Sequence, residues 1–137
     1  MVSSDALFRN VSLSFEVPSE RVSVAGDRIQ LQQALLNLIL NAFDAVSETE
    51  GERQVTIAID VDGGAVRLAV RDSGPGIDPA SIFHIFEPFF TTKPKGMGMG
   101  LVIARSIVKA HGGQLSARRN EDRGSTFLIS LPALREP

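Results

Sequence analysis

Three groups of residues in this chain have the types and spacing to do chemistry. Asn37 and Asn41 stand four apart and Asp44 three further on, so on a helix they share one face. Their neighbours are leucine, isoleucine and alanine. An amide on so apolar a segment must be hydrogen-bonded or must point at a ligand. A neutral amide oxygen suits Mg²⁺, which keeps several waters and binds through few protein groups plus phosphates. The same amides could instead cap loops or hold a hairpin backbone. The second group is Asp72-Ser73-Gly74-Pro75-Gly76. A carboxylate at the end of a strand can accept a hydrogen bond from the exocyclic amine of a base, with the glycines leaving room for a flat ring. It can equally close an Asx turn. The third group, Gly96-Met97-Gly98-Met99-Gly100-Leu101, runs into a helix. Free amides and the dipole at a helix start bind phosphate. The glycines are neither a P-loop, since no Lys-[Ser/Thr] pair closes them, nor a GxGxxG, since position 101 is Leu.

A base at Asp72, phosphates at Gly98 and Gly100 and a cation at Asn41 together describe a nucleotide–Mg²⁺ site. The intervening Phe83 to Lys95 stretch is aromatic and apolar, yet Pro88 and Pro94 interrupt it. That composition suits a loop that covers a ligand. The histidines offer less. His111 precedes Gly112-Gly113 and reads as a structural cap. His84 has no obvious acidic partner fixed beside it and reads as structural or solvent-facing. No Ser-His-Asp arrangement is visible.

These residues need elements to hold them. Val11 to Val17 alternates apolar and polar, as a half-buried strand does, and Val22 to Val24 reads as a short second strand. Asp27 is a good N-cap with Gln30 three residues on, a capping box. Apolar residues then fall at 31, 34, 35, 38, 39, 42, 43 and 46, the period of a helix that ends in the polar run from Ser47. Val55 to Val61 and Ala65 to Arg71 alternate as strands around the hairpin turn Asp62-Gly63-Gly64. Asp78-Pro79 predicts a short helix, Met99 to Ala110 a long one ending at Gly112. Gln114 to Arg118 and Ser125 to Leu131 are the last strands. The pattern predicts an α+β fold, a two-layer sandwich of a mixed sheet and helices.

Composition excludes several alternatives. The 137 residues, 43% of them hydrophobic, suffice for one domain with a real core. A net charge of −2 and no Lys/Arg run longer than the pair Arg118-Arg119, a solvated strand end, give nucleic acid no support as a partner. No cysteine means no disulfide, thiol chemistry or Cys-ligated zinc. No signal peptide or bilayer-length apolar run is evident. The expectation is a soluble cytoplasmic chain, or the cytoplasmic piece of a membrane receptor, with residues 1–10 a linker or frayed end and 11–137 the domain.

The motifs closely resemble those of the ATP-binding catalytic domain of sensor histidine kinases, within the gyrase, heat-shock chaperone, kinase and mismatch-repair ATP-binding superfamily. Leu36-Asn37-Leu38-Ile39-Leu40-Asn41-Ala42 is similar to that family's N box, Asp72 to Ile77 to its first glycine box, Ile85 to Lys93 to its F box, and Gly96 to Leu101 to its second glycine box. The likeness runs from about Leu13 to Leu131. It implies a mixed sheet layered against about three helices. By position it implies that Asn41 coordinates Mg²⁺, with Asn37 supporting phosphate or metal. Asp72 would bind the adenine amino group in a pocket shaped by Gly74 and Gly76. Phe86 to Lys95 would form a mobile ATP lid, with Lys93 on a phosphate, and Gly98 and Gly100 would offer backbone amides. Asp44, Ile77, Thr92, Gly96 and Leu101 lie in or beside the same boxes and complete the expected ATP-contacting set. The implied partners are the dimerisation and histidine phosphotransfer domain of the same protein and a downstream response regulator.

Two departures sharpen this expectation. Where the ATP-hydrolysing branches carry a Glu that activates water, this chain has Asn37, and an amide is no general base. Neither histidine is followed by an acidic residue, as the family's acceptor commonly is; Ile85 and Gly112 follow them. The chain reads as a monomeric catalytic fragment that donates phosphate to a separate domain. The other readings are a serine kinase that sequesters a sigma factor, or a degenerate docking domain. An upstream helical stretch with a His-Glu pair would favour the sensor kinase, a true start at Met1 the regulator. Incubation with radiolabelled ATP is expected to leave no stable, acid-labile label on this chain alone; such a label would overturn the expectation.

Overall fold

The computed structural model of the chain describes residues 11–19, 21–47, 49–88 and 99–134. Two periodicities shape it. Alternating segments form strands β1 (Ser12–Glu16), β2 (Gln54–Asp62), β3 (Ala65–Asp72), β4 (Gln114–Arg119) and β5 (Ser125–Pro132). Segments with helical spacing form α1 (Arg28–Ser47) and α2 (Gly100–Ala110). The strands make one sheet in the order β1-β2-β3-β5-β4. β1 runs parallel to β2, and the other neighbours are antiparallel. Both helices pack on one face, giving the expected two-layer α+β sandwich with a mixed sheet. Leu38, Phe43 and Val46 of α1 and Val108 of α2 meet Val55 and Val70 of the sheet, all without exposed surface.

The other sheet face mixes short side chains with long ones, Arg67 and Arg118 among them. Across its middle, Glu16, Ala58, Ala69, Leu128 and Ser116 stand in register and floor an open trough of about 630 Å³. Among the described residues no candidate site residue lines it.

Local chemistry fixes the ends. Gly63 and Gly64 both take positive φ, 57° and 85°, as a tight two-residue hairpin turn requires. Asp27 caps α1: its Oδ1 accepts from the amides of Ile29 (2.9 Å) and Gln30 (3.1 Å). A capping box would give Asp27's own amide to Gln30. That amide instead donates to His111 Nε2 at 3.0 Å. His111 Nδ1 lies 2.7 Å from the Ile107 carbonyl, so the proton sits on Nδ1 and Nε2 is the acceptor. His111 thus joins the start of α1 to the end of α2. Gly26 makes room for it, since a side chain there would overlap the imidazole.

Two expected elements differ. About three helices were expected, and the described residues hold two. The segment opened by Asp78-Pro79 is a series of four-residue turns, with Ser81, His84 and Glu87 amides donating to the carbonyls of Asp78, Ser81 and His84 at 2.8–2.9 Å. Asp78 does cap it, accepting from the Ala80 amide at 3.0 Å. So short a run between Pro79 and Pro88 cannot repay helix nucleation. Val22 to Val24 is not a strand either; Val24 makes one isolated bridge to Ala133.

Phe43, fully buried, and His111 should separate in unfolding experiments. Phe43→Ala is expected to cost about 3–5 kcal/mol through the cavity it leaves. His111→Ala should cost only about 1 kcal/mol, the net worth of a hydrogen bond that is not fully buried. Equal losses in urea titrations would show that the imidazole carries packing as well.

Candidate nucleotide site

Asp72 ends β3, and its side chain is buried, with 3% of its surface exposed. A carboxylate so placed needs hydrogen bonds. Its Oδ1 accepts from the Gly74 amide at 2.9 Å and the Ser125 amide at 3.3 Å. The first contact is the Asx turn that the sequence left open. It does not exclude a base, because a carboxylate has about four acceptor positions. Gly74 lets the turn touch α1, since a Cβ there would stand 2.9 Å from the Ala45 carbonyl oxygen. Gly76 has φ +87°, and Gly124, opposite it, φ +79°. A side chain at Gly124 would overlap the Asp72 carbonyl. The Ile77 amide donates to Ser125 Oγ at 2.8 Å, and the Ile77 side chain packs against the core.

The spacing of α1 puts Asn37, Asn41 and Asp44 along the rim of its buried face, each half-buried. Asn37 Nδ2 donates to the Gly100 carbonyl at 3.1 Å, drawing α1 to the first residue of α2. Asp44 uses its carbonyl to accept from Ser47 Oγ at 2.8 Å. At the start of α2, Met99 stands at the N-cap without a side-chain hydrogen bond, and no acidic residue lies in the first turn. The leading amides are therefore not taken by a side-chain cap among the described residues, the condition under which a helix start receives an anion. A Cβ at Gly100 would meet nothing within 4 Å among the described residues. Leu101 packs against the core.

Phe86 is an anchor. It is half-buried and meets Phe127 edge-on, with ring centroids 6.4 Å apart. The Arg105 guanidinium lies 5.5 Å over its ring, a cation–π contact. Of the expected lid, only Phe86 to Pro88 are described; Thr92, Lys93, Gly96 and Gly98 lie outside the described residues. His84 faces solvent, but it has an acidic partner after all, Glu87, at 2.9 Å through the turn.

Among the described residues no group of three or more His, Cys, Asp or Glu is placed to hold a metal ion. A cation here would rest on an amide oxygen and the oxygens of a bound phosphate, which is how Mg²⁺ is commonly held. Asn41, half-buried on α1, carries an amide oxygen of the kind such a role needs. Among the same residues no helix is long and apolar enough to cross a membrane.

A sequence profile described as histidine kinase-, DNA gyrase B- and HSP90-like ATPase matches residues 26–135. The chain belongs to this family. It is 40% identical over 134 residues to the sensor protein TdiS of Thauera aromatica, covering 96% of this chain and 24% of that protein. It is 39% identical over 128 residues to the sensor protein FixL of Bradyrhizobium diazoefficiens, covering 93% and 25%. The solved catalytic domain of histidine kinase ThkA superposes with a TM-score of 0.83 at 34% identity, covering 95% of this chain and 85% of that one. The chain spans about a quarter of the curated relatives it matches. It is an ATP-binding catalytic domain of the sensor histidine kinase type.

In this catalytic domain α1 meets both other groups, Asn37 through the Gly100 carbonyl and Ala45 beside Gly74. The structure also adds Gly124 and Ser125 to the surroundings of Asp72. Both sit at a turn that sequence alone presents as an ordinary hairpin. Their one signal is a Gly-Ser pair opening a strand with polar Asn120, Glu121 and Asp122 before it.

Gly124→Ala should therefore be far worse than Gly63→Ala. Both glycines have left-handed φ, but Gly63 has nothing within 4 Å. The substitution at Gly63 is expected to cost about 1–2 kcal/mol of strain. That at Gly124 should lower the melting temperature further and remove nucleotide binding, because Asp72 must move. Matching melting temperatures for the two variants would contradict this.

Proposed function

We propose that this domain binds ATP with Mg²⁺ and donates the γ-phosphoryl group to a histidine on a separate dimerisation and phosphotransfer domain of its parent kinase, which then serves a response regulator. The Asn37–Gly100 hydrogen bond is the observation that carries this reading. Position 37 presents an N–H donor to a carbonyl oxygen. A glutamate, the residue that would activate water there, has no such donor when ionised. The site is thus built to position phosphate rather than to hydrolyse it.

Each end has its residues in this reading. The Asp72 carboxylate accepts the adenine amino group, and Gly74, Gly76 and Ile77 bound the base. The amides at Gly98 and Gly100 receive the phosphates, with Gly96, Thr92 and Lys93 completing that end. Asn41 holds Mg²⁺ with Asn37 and Asp44 beside it, and Leu101 seats α2. When bound, the metal offsets charge on the transferring phosphoryl group. The chain's part is preorganisation, with donors fixed before the substrate arrives. A neighbouring structure supports the ligand: full-length ShkA in complex with AMPPNP superposes with a TM-score of 0.84 at 29% identity, covering 98% of this chain and 28% of that one. Histidine kinase ThkA has been solved in complex with a response regulator, TrrA. Such a reaction places the domain in the cytoplasm.

Calorimetric titration with a non-hydrolysable ATP analogue tests the reading. Wild type should bind, and more tightly with Mg²⁺. Asp72→Asn should weaken binding about tenfold or more, the worth of a lost charged hydrogen bond. Asn41→Ala should lose most of the metal dependence. Binding that ignores both the metal and Asp72 would sink it.

A further inference from the structure

Arg119 is the last residue of β4, a place where a long basic side chain is ordinarily solvated. Here it turns back onto the first glycine box. Its Nη1 donates to the Ile77 carbonyl at 3.0 Å. The amide of the same residue donates to Ser125 Oγ at 2.8 Å. Arg119 and Ser125 are directly opposed in the β4–β5 ladder. Two adjacent strands therefore grip Ile77 by its N–H and its C=O. The arginine stem also runs beside Gly76, where a Cβ would lie 3.4 Å from its Cγ and Cζ. Gly76 holds a left-handed φ of +87°, and the guanidinium and Gly124 close the space beside it.

The hairpin that delivers this grip is itself braced. The Asn120 amide donates to the Gly124 carbonyl at 2.9 Å, and Asn120 Nδ2 to the Arg123 carbonyl at 3.0 Å. Thr126 Oγ1 donates to Asn120 Oδ1 at 2.6 Å. Arg71 pairs with Asp122 at 3.0 Å. A turn tied at so many points presents Arg119 in one place, and a preorganised donor loses little freedom when it binds.

Building on the ATP-binding reading above, we infer that Arg119 is a positioning residue for the base end of the site. It touches neither base nor phosphate. It holds the Gly76–Ile77 backbone in the shape that receives adenine, and so sets affinity for the base and not for the phosphates.

The experiment compares wild type, Arg119→Ala, Arg119→Lys and, as a neighbour without a role in the site, Arg118→Ala. Each is titrated with a non-hydrolysable ATP analogue and with ADP, and inorganic triphosphate is measured by competition. Ligand-free melting is recorded for all. Arg119→Ala should weaken the ATP analogue and ADP by the same factor, about three to ten, as expected for one exposed charged hydrogen bond. Triphosphate binding should not change, Arg119→Lys should recover part of the loss, and Arg118→Ala should match wild type. An unchanged ATP-analogue affinity in Arg119→Ala would overturn the inference. So would an equal loss for triphosphate, or a loss mirrored fully by lower ligand-free stability. A wild type that binds no nucleotide would fail before any variant is read, overturning the ATP reading and this inference with it.

Discussion

The buried carboxylate of Asp72 is the constraint on which the rest depends. Removing a charge from water costs several kcal/mol unless donors replace the lost hydration. Here the donors are backbone amides, those of Gly74 and Ser125. The Gly74 amide requires the chain to turn at once after β3. The Ser125 amide requires β5 to lie beside β3, with its first residue level with the end of that strand. Gly124 must lack a side chain for the approach to be this close. One ionisable group at a strand end thereby dictates a turn, a strand neighbour and a glycine.

The second organiser is the two-sidedness of α1. Its apolar ridge, with Ala34, Leu38, Ala42 and Val46 fully buried, presses on the sheet and α2. The amide residues ride one step round the helix, at the edge of that contact. They are neither sunk in the core nor left in water. From there Asn37 reaches the α2 start, so the first residue of α2 is held to the helix that also carries Asn41. Packing and chemistry are thus set by adjacent stripes of one element.

What the sequence made legible was local. The helical period of α1, the Asp62-Gly63-Gly64 turn, the strand ending at Asp72 and the glycine clusters all follow from residues a few positions apart. What it hid depended on distant partners or on competition. His111 bonds a residue 84 positions away, so its reading as a cap was incomplete. Arg119 and Ser125 act on Ile77 across 42 and 48 positions, and nothing in their neighbours announces it. Asp78-Pro79 carries a genuine helix-start signal, but Phe86 is drawn onto Phe127 and Pro88 follows. Tertiary packing and brevity outweighed the signal. Gln30 was displaced as a capping partner for the same reason, because His111 reached the amide first.

The adjacency of β3 and β5 also bears on how the chain folds. The β2–β3 and β4–β5 hairpins close short loops, whereas the Asp72–Ser125 contact spans 53 positions. Contacts of long separation are paid for late, after local pairings have formed. The setting of Asp72 is therefore assembled by the same event that joins the two hairpins into one sheet. A half-folded chain has no partial version of it. Any ligand that needs Asp72 in place recognises only the completed sheet, so it stabilises the native state by an amount that grows with its concentration relative to its dissociation constant.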